Sequence, residues 1–471
     1  MLTSTYLLRQ RRFLPLFATQ LLNAFNDNLY KTAMVLFVVY SVYNTEEAEG
    51  QFSAIASGVF ILPFFVLSAL AGQLADMRDK ATIIRWVKAA EISIMLVGAA
   101  GLLMAWQGLL TEEVAIPLML LALFAMGVHS TFFGPIKYAI LPQHLKKEEV
   151  LAGTGLVVAG TYIAILAGTI LAGFVDVELA ALLVIVTALI GYATSRQVPS
   201  APPLIPEDHR NFESIDNLGR LTCKFRGIGR ALMLVPVFIY WTVGSSVKLV
   251  NRTMHQREVF YAILAISFFW TIGAVLFIQF PPLAKNVLMA SKEVASLFLV
   301  IFSIGVAIGS VAVNALLKGE VSARYAPISV LFMGAFVAVF WFVCHEWSAD
   351  VAPQDLMDVG EFLAQPLAPV VLFTLLLIAI AGGMFVVPLY AFLTTKCDPS
   401  VAARMVAANN IVNSGAMVIG SLIAIGLSSA GVPIVEQVLL SAAMCLVSAW
   451  LGQRLYQAER HASAQITVQL D

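Results

Sequence analysis

Residues 367–395 read LAPVVLFTLLLIAIAGGMFVVPLYAFLTT, a stretch of the chain without a single charged side chain. A helix needs about 20 consecutive, mostly apolar residues to cross the hydrocarbon core of a bilayer, so this stretch is long enough to span it. The whole chain shares its character: of 471 residues, 60% are hydrophobic and 12% are charged. Soluble domains carry about 25% charged residues, because their surfaces face water. The sequence therefore predicts a membrane protein.

Apolar runs of similar length recur on both sides of a charged region in the middle of the chain. That region, residues 196–258, has the proline-rich stretch VPSAPPLIP near its beginning. We predict an N-terminal six-helix half at 1–196, a cytoplasmic linker with a possible interfacial helix at 197–258, and a C-terminal six-helix half at 259–471. The predicted spans are 13–41, 53–75, 82–105, 115–140, 150–174, 176–195, 259–281, 292–317, 324–345, 367–395, 403–428 and 431–453.

The distribution of lysine and arginine predicts the orientation of the chain. Cytoplasmic loops retain an excess of basic residues. Here the basic residues cluster at the N-terminus, on the even-numbered turns, in the linker and in the tail, whereas the odd-numbered turns are acidic. Both termini are therefore expected in the cytoplasm. The apolar segment 231–250 could be a thirteenth span, but crossing there would invert the bias in every later loop. We expect it to lie along the cytoplasmic interface or to dip into it.

An internal repeat supports the division into two halves. Pro135 in FFGPIKYAIL and Pro388 in FVVPLYAFL lie at matching places, late in the fourth span of each half. Two halves related by an axis along the membrane normal are the arrangement of major facilitator transporters. The expected fold is an all-α membrane protein of the major facilitator type, with 12 transmembrane helices in two six-helix halves.

The turn after the second span reads GQLADMRDKATII and is similar to the conformational motif of major facilitator proteins. In that motif a glycine permits close helix approach, and an aspartate caps the next helix and pairs with basic residues across the halves. Gly72, Asp76, Arg78 and Lys80 stand at the corresponding positions. We expect these residues to control the conformational change rather than to bind substrate. The competing interpretation is an ordinary cytoplasmic turn with snorkelling cations.

Charged and amide side chains inside the spans form the predicted substrate-binding or gating site. Asp27 and Lys31 are four residues apart and so share one face of the first span, close to Asn23. A charge in the bilayer centre costs about 3 kcal/mol or more, so such residues pair and face the protein interior or a water-filled cavity. An ion-pair network that only joins helices is the alternative. The other predicted members of the first half are Glu91, His129 and Lys137.

The spans of the second half carry almost no formal charge. An aromatic series that includes Trp270 lies where the repeat would place a partner for Asp27, and Asn410 is one of the few polar groups. Ordinary helix packing would explain these aromatic residues. The functional interpretation is a cavity that is charged on one side and apolar on the other, and this shape suits an amphipathic solute.

Motifs of common enzymes are missing from the sequence. It contains no GxSxG, HExxH or GxGxxG and no Gly-Lys dipeptide of a phosphate-binding loop. Its four cysteines are scattered without metal-ligand spacing. We therefore expect a protein that is not an enzyme and that uses no cofactor and no metal. The net charge of −1 gives no reason to expect a nucleic-acid partner.

Six short stretches together carry a family resemblance. They are FNDNLYKTA (25–33), GQLAD (72–76), RWVKAAEI (85–92), FFGPIKYAILPQHL (132–145), GGMFVVPLYAFL (382–393) and VAANNIVNSGAMV (406–418). In this order they resemble the bacterial lysophospholipid transporter family of the major facilitator superfamily. The likeness runs from about residue 12 to about residue 430.

This resemblance implies a cargo, a location and a partner. Members of that family move lysophospholipids from the outer to the inner leaflet of the inner membrane of Gram-negative bacteria, where an acyltransferase–acyl-carrier-protein synthetase re-acylates them. The chain ends near residue 471, so we expect that synthetase to be a separate partner, beside the membrane lipids. The family's intramembrane aspartate falls on Asp27 and its lysine on Lys137. Its basic residue in the seventh span has no match here, where Phe277 and Gln279 stand.

Three functions are open from the sequence. The first is a lysophospholipid flippase that works by alternating access, with the second half accepting the acyl chain. The second is a proton-coupled transporter of another amphipathic solute or drug, with Asp27 or Glu91 as the coupling site. The third is a membrane scaffold that docks an acyltransferase through 196–258. In the first, the residues that hold the head group would be Asp27, Lys31, Glu91 and Lys137.

Overall fold

The computed structural model describes residues 6–42, 46–204, 228–350, 356–396 and 398–470. Twelve long helices in these ranges follow the predicted spans. They are α1 (Leu14–Ser41), α2 (Glu46–Met77), α3 (Lys80–Trp106), α4 (Ile116–Ala139), α5 (Val150–Phe174), α6 (Val177–Ser195), α7 (Arg257–Asn286), α8 (Lys292–Leu317), α9 (Ala326–Asp350), α10 (Ala368–Thr395), α11 (Ala402–Ser429) and α12 (Ile434–Leu470). A further helix, Ile228–Met254, precedes α7, and we call it the linker helix.

The helices are those of a multi-pass membrane protein. Within the described residues, 11 helices are long and apolar enough to cross a membrane, and these are α2 to α12. The first helix is less apolar because Asp27, Lys31 and several amide side chains interrupt it. Its 28 residues still reach about 42 Å at the helical rise of about 1.5 Å per residue. It packs along α5 and α6 and completes the expected twelve.

The packing of the helices repeats between the two halves. In the first half, α1 packs on α5 and α6, α2 packs on α4, and α3 packs on α4 and α6. In the second half, α7 packs on α11 and α12, α8 packs on α10, and α9 packs on α10 and α12. Each pair in one half therefore has its equivalent in the other. The halves meet along two seams, α2 with α11 and α5 with α8. Because α2 is equivalent to α8 and α5 to α11, the two seams are equivalent contacts in the repeat.

Each seam depends on a glycine that allows two backbones to approach closely. A Cβ atom at Gly72 of α2 would lie 2.6 Å from the Cβ of Ala407 on α11. A Cβ atom at Gly155 of α5 would collide with the carbonyl oxygen of Ser310 on α8. Larger residues at these two positions would push the halves apart, because packed interiors have no space for them.

The linker helix lies against the α2–α11 seam, contacting both halves. Ser246 donates a hydrogen bond to the carbonyl oxygen of Phe65, in the middle of α2, at 3.3 Å. Tyr240 and Val247 are exposed on its outer face. The expectation that 231–250 does not cross the membrane stays a prediction, and residues 205–227 of the predicted linker lie outside the described residues.

One end of the bundle holds the start of α1, the end of α6 and the beginning of α7, and we call it the linker side. The segment before α1 is attached there to the start of α5. Arg12 Nη2 lies 2.7 Å from Glu149 Oε1, and Arg12 Nη1 donates to the carbonyl oxygen of His144 at 3.3 Å. If the predicted orientation holds, the linker side is the cytoplasmic side.

Candidate functional site

A cavity of about 260 Å³ lies between the two halves. Helices α1, α2, α4 and α5 line it on one side, and α7, α10 and α11 line it on the other. It therefore lies where the repeat brings the two halves face to face, which is where transporters of this architecture bind substrate. The predicted site residues that line it are Asn23, Asp27, Lys137, Trp270 and Asn410.

Asp27 lies in the middle of α1 and is 8% exposed. Its Oδ2 atom accepts two hydrogen bonds, from Asn23 Nδ2 at 3.1 Å and from Ser130 Oγ of α4 at 2.5 Å. Its Oδ1 atom is buried and has no hydrogen-bond partner among the described residues. One carboxylate oxygen is thus held by two hydrogen bonds, while the other is left without one among the described residues.

Lys31 follows Asp27 by one helical turn but is not among the cavity-lining residues. Its ammonium lies 5.6 Å from the centroid of the Phe60 ring on α2, within the range of a cation–π contact. Phe60 itself lines the cavity. Asp27 therefore lines the cavity itself, whereas Lys31 lies next to it, beside the aromatic ring of a lining residue.

Lys137 lies near the end of α4 and presents a positive charge to the cavity. It is half-buried, and its ammonium lies 5.2 Å from the centroid of the neighbouring Tyr138 ring. In the part of the chain that the structure describes, no carboxylate lies within the 4.0 Å of an ion pair. An ammonium in such a place lacks the partner that buried charges need, so it is suited to bind an anionic group of a ligand.

A second group of charged residues lies behind the cavity wall, and we call Lys88, Glu91 and His129 the buried charge cluster. The Lys88 ammonium contacts Glu91 Oε2, and His129 Nε2 lies 3.2 Å from the same oxygen. Glu91 Oε1 accepts a hydrogen bond from Asn26 Nδ2 of α1 at 2.7 Å. All three side chains are almost completely buried. Glu91 and His129, expected in the site, are thus next to it without lining it.

The opposite wall is organised around the hydroxyl group of Tyr390 on α10. Trp270 of α7 donates its indole N–H to that hydroxyl at 2.8 Å, and two amides of α11 donate to it at 3.4 Å each. The Tyr390 ring stacks on Tyr138 of α4, with centroids 4.6 Å apart. Trp270 stacks in turn on Tyr162 of α5 at 6.0 Å. These two aromatic pairs join the halves at the level of the cavity.

The conformational motif forms a contact between the halves on the linker side. Asp76, at the end of α2, is 1% exposed and accepts hydrogen bonds from the backbone N–H groups of Ala403 and Arg404 at 3.0 and 3.1 Å. The Arg404 Nε atom adds a charged hydrogen bond at 3.0 Å. We call the Asp76–Arg404 contact the latch. It adjoins Gly72, whose missing side chain brings α2 and α11 together.

The remaining motif residues do not join the latch directly. Asp79, rather than Asp76, caps α3: it accepts a hydrogen bond from the Thr82 N–H at 2.9 Å and another from the Ser200 hydroxyl. Burial alone would raise the pKa of Asp79, but these hydrogen bonds outweigh it and hold the pKa below its usual value. Lys80 is buried and Arg78 is exposed.

Several cavity residues were missed from the sequence. Tyr138 and Tyr390 follow the two repeated prolines, Pro135 and Pro388, by three and two residues, so the repeat itself pointed to them. The side chain of Gln20 also lines the cavity and accepts a hydrogen bond from a threonine of α5 at 3.0 Å. No pattern in the sequence distinguishes that glutamine from other polar residues in a span.

Comparison with known proteins identifies the architecture independently. A family model described as Major Facilitator Superfamily matches residues 16–421. A lysophospholipid transporter LplT of Escherichia fergusonii is 23% identical over 450 residues, covering 92% of this chain and 94% of that protein. The protein of the same name from Serratia proteamaculans is 23% identical over 459 residues, covering 95% of this chain and 97% of that protein. The resemblance carried by the six motifs is confirmed.

Solved structures share the fold. A bacterial homologue of the iron transporter ferroportin, in an outward-facing state, has a TM-score of 0.65 at 13% identity and covers 95% of this chain and 100% of that chain. The proton:xylose symporter XylE has a TM-score of 0.64 at 13% identity and covers 96% of each chain. At such identities the likeness concerns the fold alone, and the twelve-helix arrangement in two halves is confirmed.

Proposed function

The chain belongs to the major facilitator superfamily, and we propose that it moves lysophospholipids between the leaflets of a bacterial inner membrane by alternating access. The observation that carries this proposal is Lys137, an ammonium without a carboxylate partner beside a cavity whose opposite wall carries no charge. A cation on one side and an uncharged wall on the other fit a ligand with a phosphate and a hydrocarbon chain. The names of the relatives support the same cargo.

The head group would bind to the wall formed by α1 and α4. A lysine ammonium is a compact point charge that attracts phosphate, so the phosphate would lie at Lys137. An ethanolamine ammonium would lie near the Asp27 carboxylate, which lines the cavity. Asn23 holds one carboxylate oxygen and fixes the orientation of Asp27. In this arrangement Lys31 and the buried charge cluster influence the head group through Asp27 rather than by contact.

The acyl chain would extend from the cavity toward the lipid. Sites that enclose a drug-sized ligand measure about 300–1,000 Å³, so about 260 Å³ holds a head group but not a long chain as well. Phe60 and Phe64 of α2 and Met417 of α11 line the side of the cavity next to the α2–α11 seam. We propose that the single chain begins at Trp270, lies along these residues and reaches the membrane beside the linker helix, which covers the seam at Phe65.

The conformational change would open the linker side. Two barriers close that side: the stacked rings of Tyr138 and Tyr390 below the cavity, and the latch of Asp76 and Arg404 below them. Release toward the linker side requires both contacts to separate, because they join opposite halves. With the predicted orientation, this delivers the lipid to the cytoplasmic leaflet. There a separate acyltransferase–acyl-carrier-protein synthetase would re-acylate it, and that partner is part of the proposal.

The alternative within the same fold is a proton-coupled transporter of another amphipathic solute or drug. The observation that favours it is Gln279, an uncharged residue in α7 where the lysophospholipid transporters are expected to carry a base. The cavity residues that would bind a head group would then bind a different polar group. A comparison of ligands that share a chain but differ in the phosphate separates the two functions.

The experiment uses the purified chain in liposomes with a fluorescent lipid added to one leaflet. We expect movement of lysophosphatidylethanolamine but little movement of monoacylglycerol, which lacks the phosphate, or of the two-chain phospholipid. Lys137→Gln should reduce the movement about tenfold, since a hydrogen bond to a charged group contributes about 1.5–3 kcal/mol. Lys147→Gln, which changes an exposed lysine on the linker side, is the matched control and should not. Equal movement of all three lipids would refute the proposed cargo.

A further inference from the structure

Amide side chains line the cavity, and they differ in whether their N–H groups have an acceptor. Those of Asn23, Asn28 and Asn413 donate hydrogen bonds to groups within the protein. Those of Gln20 and Asn410 line the cavity as well, but they donate to no other described residue. Buried donors are normally hydrogen-bonded. Free N–H groups in a cavity therefore indicate a ligand that supplies acceptors.

The amide of Gln20 is held in one orientation between α1 and α5. The residue is 1% exposed, and its Oε1 atom accepts a hydrogen bond from the Thr161 hydroxyl at 3.0 Å. This contact turns the Nε2 atom the other way, where it is buried without an acceptor among the described residues. A Cβ atom at Gly160 would lie 2.8 Å from Nε2, so the missing side chain leaves room for the amide.

The amide of Asn410 reaches across from the second half to the first. A Cβ atom at Gly134 of α4 would lie 3.3 Å from Asn410 Nδ2. Gly134 precedes Lys137 by three residues and so lies on the same face of α4. The neighbouring amides of α11, Asn409 and Asn413, instead donate within their own half. Asn410 therefore places its N–H groups beside the face of α4 that carries the unpaired ammonium.

Gln20 and Lys137 lie at the same end of the cavity. Gln20 precedes Asp27 by seven residues on α1, and Lys137 follows Ser130 by seven on α4, which runs in the opposite direction. Asp27 and Ser130 are joined by a hydrogen bond. The backbone positions of Gln20 and Lys137 are thus both about 10 Å nearer the linker side than that bond. Donors collect at this end of the cavity, and the carboxylate lies at the other.

We propose that Gln20 and Asn410 bind the head-group phosphate together with Lys137, so that both halves hold the phosphate. The proposal rests on the proposed function, in which Lys137 alone contacts the phosphate. A lysine ammonium supplies charge, and the two amides supply N–H groups of fixed direction. Phosphate oxygens each accept hydrogen bonds, whereas a cationic group would have no use for these donors.

A phosphate bound in this way stabilises the closed linker side. Lys137 belongs to the first half and Asn410 to the second, so the two move apart when the linker side opens. The phosphate then loses the amide of Asn410, and its affinity falls on the side to which the lipid is released. Because a ligand favours the state that binds it better, the bound phosphate draws the halves together before they separate.

The test measures equilibrium binding of radiolabelled lysophosphatidylethanolamine to the full chain in nanodiscs. Gln20→Leu and Asn410→Ala should each weaken binding about tenfold, as expected for the loss of a hydrogen bond to a charged group. Gln107→Leu and Asn286→Ala, which change exposed amides beyond the end of α3 and at the end of α7, are the matched controls and should bind as the unchanged protein does.

Thermal unfolding of the same samples without lipid separates binding from a structural role of Gln20. Gln20→Leu removes a buried donor that has no acceptor, so the lipid-free variant should unfold at the same temperature as the unchanged protein or higher. The stabilisation by added lipid should shrink. A lower unfolding temperature of the lipid-free variant would show that Gln20 supports the fold, and would overturn its assignment to the phosphate.

A double variant tests whether Asn410 and Lys137 hold the same group. In the Lys137→Gln background, Asn410→Ala should weaken binding by only about twofold, because residues that share a partner are not additive. A further tenfold loss in that background would mean that the two residues act independently, and would contradict a shared phosphate.

The remaining failures are distinguishable. If the unchanged protein neither bound nor moved any lysophospholipid, the proposed function would be wrong. If the unchanged protein bound the lipid and both amide variants bound it equally well, only the inference about the amides would be wrong. A loss in Gln20→Leu but not in Asn410→Ala would place the phosphate on the first half alone and refute the bridge between the halves.

Discussion

The two halves of the molecule have the same packing but opposite chemistry. Lys137 and Tyr390 occupy equivalent places in the repeat, each two residues after the repeated proline of its half. The lysine presents an ammonium without a carboxylate partner, whereas the tyrosine hydroxyl accepts three hydrogen bonds within its own half. In the same way, α1 carries Asp27, but α7 carries a fully buried Ile272 near the equivalent place.

This difference shows how one scaffold can provide two kinds of surface to a single cavity. The repeat determines where the helices lie, since the main packing pairs of the first half recur in the second. It does not determine which side chains face the cavity. Both halves contribute aromatic rings to the cavity, but only the first half places charges there, whereas the second half presents Trp270, Tyr390 and uncharged polar side chains. An amphipathic ligand needs both surfaces, and the predictions for Asp27, Tyr390 and Trp270 each change one of them.

The largest effect is expected from removing the charge of the first half. Asp27→Asn keeps the shape of the side chain and its contact with Asn23 but removes the negative charge. Transport of lysophosphatidylethanolamine should fall about 10- to 100-fold, because hydrogen bonds to charged groups contribute about 1.5–3 kcal/mol. The amount of protein in the membrane should stay unchanged. Glu113→Gln, at an exposed position beyond α3, is the control, and an equal loss there would contradict the special role of Asp27.

Much of this comparison could be predicted from the sequence. The apolar runs gave the twelve spans, and the matching prolines gave the two halves. The cost of charge in a membrane selected Asp27 and Lys137, both of which line the cavity. These inferences depend on the local sequence, where hydropathy and spacing carry the information.

The arrangement around those residues could not be predicted. Glu91 and His129 lie one layer behind the cavity, because the rotation of α3 and α4 about their axes is set by packing against distant helices. The partner of Asp76 is Arg404, which lies 328 residues further along the chain. The aromatic stack of Tyr138 on Tyr390 joins opposite halves in the same way. Contacts of this kind arise only when the chain is folded.

The second prediction compares substitutions at the two equivalent positions, Tyr390 and Lys137. Tyr390→Phe keeps the stacked ring but removes the hydroxyl that accepts three hydrogen bonds. A neutral hydrogen bond contributes about 1 kcal/mol, so transport should fall at least about fivefold, the effect of one lost bond, and equally for all head groups. Lys137→Gln should instead alter the order of preference among head groups. A change of preference in the tyrosine variant, seen when lysolipids with different head groups compete, would contradict the division between the halves.

The third prediction concerns the acyl chain. Trp270→Leu removes aromatic surface from the cavity wall and should shift the preferred chain length. Each buried methylene contributes about 0.8 kcal/mol, so neighbouring chain lengths should differ by about fourfold in their response. Trp450→Leu changes a tryptophan that is 54% exposed, away from the cavity, and is the control. A loss of transport that is independent of chain length would mean that Trp270 only packs.

The smallest effect is expected on stability, from replacing two capping aspartates, one in each half. Asp79 caps the long helix α3, whereas Asp398 caps only the short turn Pro399–Val401. Hydrogen bonds hold the pKa of both carboxyls below the usual value. Asp79→Ala should therefore destabilise the protein by about 1 kcal/mol at pH 7, and Asp398→Ala by less.

A lowered pKa in the folded state means that the stabilisation is complete at neutral pH and is lost as the pH falls through the folded pKa. The difference between each variant and the unchanged protein should thus begin to shrink near about pH 4, the usual value for an aspartate, and disappear only below the lowered pKa of the folded protein. Thermal unfolding in detergent at several pH values measures it. A difference that grows as the pH falls would contradict the account of these caps.

The division of the cavity itself is tested most directly by a series of lysolipids that vary independently in head group and chain length. Transport of each would be measured for the unchanged protein, Lys137→Gln, Trp270→Leu and the double variant. We predict that the lysine variant changes the order of head groups and leaves the chain-length profile intact, that the tryptophan variant does the reverse, and that the double variant shows both changes. If each variant lowered the transport of every lipid by one common factor, the cavity would not be divided between head group and chain.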